Sequence, residues 1–247
     1  MGTDYPAQSK RRPGWRFWVS TVAAVLGVAA TLALGNWQLS RATYKDNLQA
    51  RIDALRALSP LASSAQLTEA HLHRQVELRG SWRADATIYL DNRSMDGRAG
   101  FFVLTPLMLD KGGAVLVQRG WAPRNSADRA ALPPVQTPGG LIKVQGRLAM
   151  PPSHYLDFSG PAQGGAIRQN LDLDAFRAES GLILPGVVVL QTGDPSDGLL
   201  RNWPEAASGS AKNLGYAAQW FALAALITVL YVWFQIVRRF FLPSRAR

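Results

Sequence analysis

The chain has 247 residues, 27 Lys and Arg against 17 Asp and Glu, a formal net charge of +10, and no cysteine. The missing thiols exclude a structural disulfide, a CxxCH haem attachment, a thiolate copper or zinc site and a Cys nucleophile. The charge is no argument for nucleic acid: Lys10, Arg11, Arg12, Arg16, Arg238, Arg239, Arg245 and Arg247 flank two apolar runs, and residues 37–213 carry only +3.

The first run, Phe17 to Leu34, has no charged residue. As a helix it is about 27 Å long, near the roughly 30 Å hydrocarbon core of a bilayer. It also exceeds the roughly 7–15 residue apolar region of a signal peptide, which favours a retained span over a cleaved leader. The second run, Leu214 to Val237, is likewise uncharged, with Tyr216, Trp220, Tyr231 and Trp233 toward its ends and arginines after it. A helix satisfies its own backbone hydrogen bonds in lipid, so both runs read as transmembrane helices. Cations outside both runs place both termini in the cytoplasm and the middle on the other side, the periplasm in a bacterium. The expected organisation is a basic tail (1–16), a first span (17–36), a periplasmic domain (37–213), a second span (214–237) and a basic tail (238–247).

After the first span, Trp37, Tyr44, Leu48, Ile52 and Leu55 recur at helical spacing, which predicts a juxtamembrane helix over 37–58, ended by Ser59-Pro60. The period then changes to two. Val76, Leu78 and Gly80 alternate with polar residues, and residues 86–90 make a short strand. Residues 92–100 read as a loop with an Asp96-Gly97 turn. Residues 101–109 follow as a strand interrupted at Pro106. Asp110 to Gly113 is a hairpin turn, and Ala114 to Gln118 is the return strand. A Pro/Gly-rich loop (123–140), a strand at 141–145, a short helix capped by Asp172 or Asp174 and ending near Gly181, and a strand at 186–190 complete the middle. Residues 194–210 read as a linker. The expected fold is a mainly antiparallel β domain, a small barrel or sandwich with short helices, between two membrane helices.

No motif carries a reaction. His71 and His73 would share a face of a strand, but two His are not a metal site; His154 is isolated; HExxH, GxSxG and Walker loops are missing. Asp172 and Asp174 read as residues at a helix start. Haem iron takes His, Met, Cys or Tyr. Neither span contains His or Met, and Tyr216 and Tyr231 read first as interfacial residues. Haem propionates instead need cations, for which Arg41, Lys45 and Arg119 qualify; lipid phosphate contact or a surface ion pair is the competing use.

Four stretches carry a resemblance: Gly35-Asn-Trp-Gln-Leu-Ser-Arg41 with Lys45; Gly100-Phe-Phe-Val-Leu-Thr-Pro106; Val115-Leu-Val-Gln-Arg-Gly-Trp-Ala-Pro123; and Gly215-Tyr-Ala-Ala-Gln-Trp-Phe221. In this order, between two end spans, they resemble the Surfeit-locus cytochrome oxidase assembly factors. The resemblance implies a bacterial inner-membrane protein that is not an enzyme. It would assist haem a insertion into, or maturation of, the catalytic subunit of a haem-copper oxidase, holding haem a transiently rather than as a permanent cofactor. The haem a synthesis machinery is a further implied partner. A scaffold that stabilises oxidase subunits without touching cofactor is the alternative, and a membrane-anchored periplasmic enzyme a third. Arg41, Lys45 and Arg119 would be the propionate cations. Trp37, Gln38, Gly120, Trp121, Tyr216, Gln219 and Trp220 would contact the partner. The chain departs from the family pattern with Gln118 in place of a frequent Asn and Tyr44 in place of a frequent Trp. Asn213 stands where many members have a His associated with haem; an amide is a poor iron ligand, so axial ligation by this chain is not implied.

Overall fold

The computed structural model describes residues 14–63, 66–125, 128, 131–152, 165–194, 196–203 and 209–241. His154, most of the N-terminal basic tail and the end of the C-terminal one lie outside them. In chain order the elements are α1 (Trp15–Ala57), β1 (Leu61–Ala62), β2 (Gln75–Trp82), β3 (Ile88–Met95), β4 (Arg98–Leu109), β5 (Ala114–Pro123), β6 (Ile142–Ala149), β7 (Ile167–Arg168), α2 (Leu173–Ser180), β8 (Val188–Gln191) and α3 (Ser210–Tyr231), which runs on as a π-helix, Val232–Phe241. They fall into two compact units, Met1–Ala50 with Ala207–Arg247, and Arg51–Ala206.

In the first unit, α1 and α3 are each long and apolar enough to cross a membrane. The predicted juxtamembrane helix is the continuation of α1, without a break at the end of the apolar run. The two helices meet along a stripe of small residues. On α1, Thr31, Gly35 and Ala42 are buried and Gln38 and Lys45 half-buried, at alternating spacings of four and three. On α3, Ala217 and Ala224 are buried. A Cβ on Gly35 would lie 2.6 Å from the Phe221 ring, so glycine there admits the aromatic. Small side chains let apolar helices approach closely where no hydrophobic effect drives them together. Thr21 Oγ1 and Tyr231 Oη, 2.8 Å apart, join the other ends. Of the apolar residues that mark the predicted juxtamembrane helix, Trp37, Tyr44 and Leu48 are exposed, and Ile52 and Leu55 are half-buried.

The second unit is an eight-stranded sheet ordered β1-β2-β6-β8-β5-β4-β3-β7, and a β2–β4 pairing joins β2, β6, β8, β5 and β4 into a closed circuit of neighbours. The sheet is mixed, which corrects the expectation of a mainly antiparallel one: β1–β2, β3–β7 and β5–β8 are parallel. The cause is connectivity. Strand β8 follows α2 and enters between β5 and β6, and parallel neighbours need such crossovers where hairpins do not. Strand β5 is buried along its length from Ala114 to Ala122. Val115 and Val117 face one core cluster with Leu78, Leu107, Val144 and Val189. Ala114 and Leu116 face a second, with Leu90, Leu104 and Phe176 of α2. A strand covered on both faces reads as a continuous apolar run, as residues 114–117 do.

Three local expectations change. Residues 92–95 and 98–100 are strand rather than loop, paired across the Asp96-Gly97 turn; Asp96 and Gly97 both have positive φ, as a two-residue hairpin turn requires. The strand is disguised because its inward positions include Arg93, a buried cation. Pro106 does not interrupt β4: it pairs with Leu116, and its carbonyl accepts from Arg83 N at 2.9 Å. The linker reading fails for residues 196–203, where Leu199 is buried and Leu200 bridges to Trp121. Of the two possible caps of α2, Asp172 serves, accepting from Asp174 N and Ala175 N at 3.0 Å; Gly181 ends the helix with a left-handed φ of 68°.

Candidate functional site

The four family-like stretches collapse into two pairs, one in each unit. In the sheet, β4 and β5 run antiparallel, with Phe102 opposite Trp121 and Val103 opposite Gly120. The register slips between Val103 and Leu104, so Arg119 is the extra residue of a β-bulge. Bulges re-aim side chains, and this one turns Arg119 inward, where only 1 % of it is exposed. Its Nη2 donates to Asp197 Oδ2 at 3.1 Å and to Gln136 O at 2.6 Å, its Nη1 donates to Thr137 Oγ1 at 2.8 Å, and the guanidinium lies 4.7 Å from the Trp82 ring centroid. Arg201 donates to the same Asp197 oxygen at 2.6 Å and to Arg119 O at 2.8 Å. Burial pulls the Arg119 pKa down, and Asp197 opposes that pull. One carboxylate therefore holds two arginines beside a cavity of about 510 Å³ lined also by Ile142, Lys143 and Gln191.

The neighbours of Arg119 are also internal. A Cβ on Gly120 would come within 2.5 Å of Leu199 Cβ, so glycine admits the returning chain. Trp121 is 1 % exposed and donates from Nε1 to Arg93 O at 2.8 Å. Gly120 and Trp121, expected at a partner surface, thus lie inside the domain, and Arg119, expected to meet propionates, already has a carboxylate. Sequence gives no hint of this, because Asp197 and Arg201 lie in what reads as a linker.

The other pair is at the junction of α1 and α3. Lys45 Nζ donates to Asn213 Oδ1 at 2.8 Å, and Asn213 Nδ2 donates to Gln38 Oε1 at 2.6 Å. Asn213, one of the departures from the family pattern, is thus the centre of a polar chain between two motif residues two turns apart on α1. Lys45 and Gln38 turn toward α3, whereas Arg41, one flank away, is exposed and has no ion pair among the described residues. Trp37, Tyr216 and Gln219 are exposed and Trp220 is half-buried. The ammonium of Lys45 keeps two further donors and the amide of Gln38 both of its own. The junction can therefore present cations and donors to an anionic group.

The two histidines stay apart in role. His71 Nδ1 lies 3.2 Å from Thr68 Oγ1. His73 has a positive φ of 70°, and burial, then the charges of Arg147 and Arg56, hold its imidazole below the ordinary histidine range. Its charged form is disfavoured in the folded domain. As pH falls below about 6.5 the unfolded chain takes up this proton first, so stability is lost until pH passes the lower folded value. A urea-midpoint series on the detergent-solubilised chain should fall through this window, and His73→Gln should flatten that part of the fall. An unchanged slope in His73→Gln would assign it to other groups. Among the described residues no three His, Asp or Glu side chains gather to hold a metal ion.

The model of the SURF1 family matches residues 25–225. A SURF1-like protein of Drosophila melanogaster is 26 % identical over 246 residues, covering 85 % of this chain and 75 % of its own length. One from Rickettsia bellii is 28 % identical over 208 residues, 80 % of this chain and 83 % of its own. The cytochrome oxidase assembly protein SHY1 of Saccharomyces cerevisiae is 30 % identical over 93 residues, 36 % of this chain and 24 % of its own.

Proposed function

The chain belongs to the SURF1 family, and from that premise we propose that it is a membrane-anchored assembly factor for a haem-copper cytochrome oxidase. The observation that carries the reading is the family match across both helices and the sheet, joined to similarity with a yeast protein named for cytochrome oxidase assembly. Likeness to Rickettsia proteins supports a bacterial inner membrane as its location. In this reading α1 and α3 span that membrane, both termini are cytoplasmic and the sheet is periplasmic.

The finer assignment is assistance with haem a insertion or maturation of the catalytic subunit, with haem a held transiently. No reaction is assigned to the chain itself. Its working surface is the junction where Gln38, Lys45 and Asn213 are linked. Lys45, with two donors to spare, is the cation for a propionate. Arg41, exposed beside it, meets the partner. Arg119 is left in its ion pair, since recruiting it would uncover Asp197 and Arg201 in a buried site. Asn213 leaves the iron to another protein's ligand.

The test is deletion of the gene, followed by a reduced-minus-oxidised spectrum of the membranes. The expected result is loss of the oxidase haem a signal, restored by the gene in trans. A spectrum unchanged by deletion overturns the reading.

A further inference from the structure

Arg119 and Gln191 each come one residue after Gln118–Leu190, the last pair of the parallel strands β5 and β8. Neighbouring strands lie roughly 4.8 Å apart, so the two side chains leave the sheet from adjacent points. Both line the cavity of about 510 Å³. Each has one polar atom to spare. Arg119 uses its terminal nitrogens on Asp197, Gln136 and Thr137, but its Nε, a buried donor, bonds no described residue. Gln191 Oε1, a buried acceptor, likewise bonds no described residue. A buried polar atom left unpaired costs stability, and native interiors keep few of them. Here a donor and an acceptor are unpaired at one cavity.

The charge around them is also incomplete. Arg119 and Arg201 share the single carboxylate of Asp197, and all three side chains are at most 9 % exposed. Two cations against one anion leave one buried positive charge, which an anion in the cavity would balance. Lys143 adds a cation at the rim. Its pair with Glu77, at 2.8 Å, is about half exposed on both sides, so turning Lys143 to a ligand costs little. Trp82, Pro138 and Ile142 give the cavity apolar wall for a carbon skeleton. Its volume is within the range of small-molecule sites, about 300–1,000 Å³. A bare carboxylate would satisfy Arg119 and leave Gln191 unpaired. A neutral alcohol would pair both atoms and leave the charge.

We propose that this cavity binds a small hydroxycarboxylate. Its carboxylate accepts from Arg119 Nε and Lys143, its hydroxyl donates to Gln191 Oε1, and the ion pairs of Asp197 stay in place. The site rests on neither the membrane reading nor the oxidase reading. Three probes of three carbons separate its parts: lactate carries charge and hydroxyl, propionate the charge alone, and propane-1,2-diol hydroxyls alone. Each is titrated at constant ionic strength into the full-length chain in detergent, and into detergent alone, with binding read by ligand-observed NMR. Lactate should bind about tenfold or more tightly than either of the others, because each of those leaves a buried partner unmatched.

Gln191→Met removes the unpaired acceptor at nearly constant volume and should act in two opposite ways. Without ligand, the Tm should rise by about 2–4 °C. With lactate, affinity should fall to that of the unaltered chain for propionate. Equal affinity of the unaltered chain for lactate and propionate means that Gln191 reads no hydroxyl. Equal affinity for lactate and the diol means that the buried charge attracts no anion. Binding of none of the probes means that the cavity is no such site. Undiminished lactate binding by Gln191→Met places the ligand elsewhere, and a lowered Tm shows that the acceptor was already paired. Each of these overturns the proposal. The probe series on the unaltered chain tests it without the variant.

Discussion

Replacing Asp197 by Ala should lower the stability of the chain by about 3–5 kcal/mol, the cost of leaving buried charge without its partner. The side chains of Arg119, Asp197 and Arg201 are 1 %, 9 % and 6 % exposed. In the variant, Arg119 keeps Gln136 O and Thr137 Oγ1, and Arg201 keeps the carbonyls of Arg119 and Asp194. Those bonds satisfy donors but cancel no charge, so two guanidinium groups would face each other without an anion. The loss should also spread, because Asp197 Oδ1 accepts from Leu199 N at 3.4 Å and residues 199–200 cover Gly120 and bridge to Trp121. Adding Arg119→Met should recover part of the loss, since an apolar side chain of similar length removes one uncompensated cation. Urea unfolding of the full chain in detergent, followed by tryptophan fluorescence, reads both. A loss under about 1 kcal/mol for Asp197→Ala would place the triad with ordinary surface pairs.

The same triad shows where sequence reading stops. The helices were legible because long uncharged apolar runs satisfy their backbone hydrogen bonds internally as helices, and the Asp96-Gly97 turn and Asp172 cap were legible because their chemistry is local. Arg93 and Arg119 were not, because a buried cation looks like a surface one until its partners are known. Arg119 is turned inward by a bulge, a one-residue slip in register that no residue type announces. The parallel seating of β8 beside β5 depends on a chain path, not on any pattern within either strand. At the helix junction, Gln38 and Lys45 could be put on one face by counting, but their shared partner, Asn213, is 175 and 168 residues away. The spacings of three and four put Arg41 near that face too, yet it is exposed on the flank while Gln38 and Lys45 are half-buried. That difference separates residues that hold the two helices together from the one left to act outward.

Arg41→Ala is therefore the substitution with the largest expected functional effect. Arg41 bonds no described residue, so its removal should leave α1, α3 and the sheet intact. An Arg that is a hot spot of a partner contact, the role proposed for Arg41, is worth about 2 kcal/mol or more, roughly thirtyfold in Kd. Lys45→Ala would be less informative, since it also breaks the link to Asn213. The decisive measurement is the reduced-minus-oxidised spectrum of membranes in which the only copy of the chain carries Arg41→Ala, normalised to the amount of the chain in the same membranes. The account predicts a much reduced oxidase haem a signal with the chain present at its normal level. A normal haem a signal at that level would contradict it.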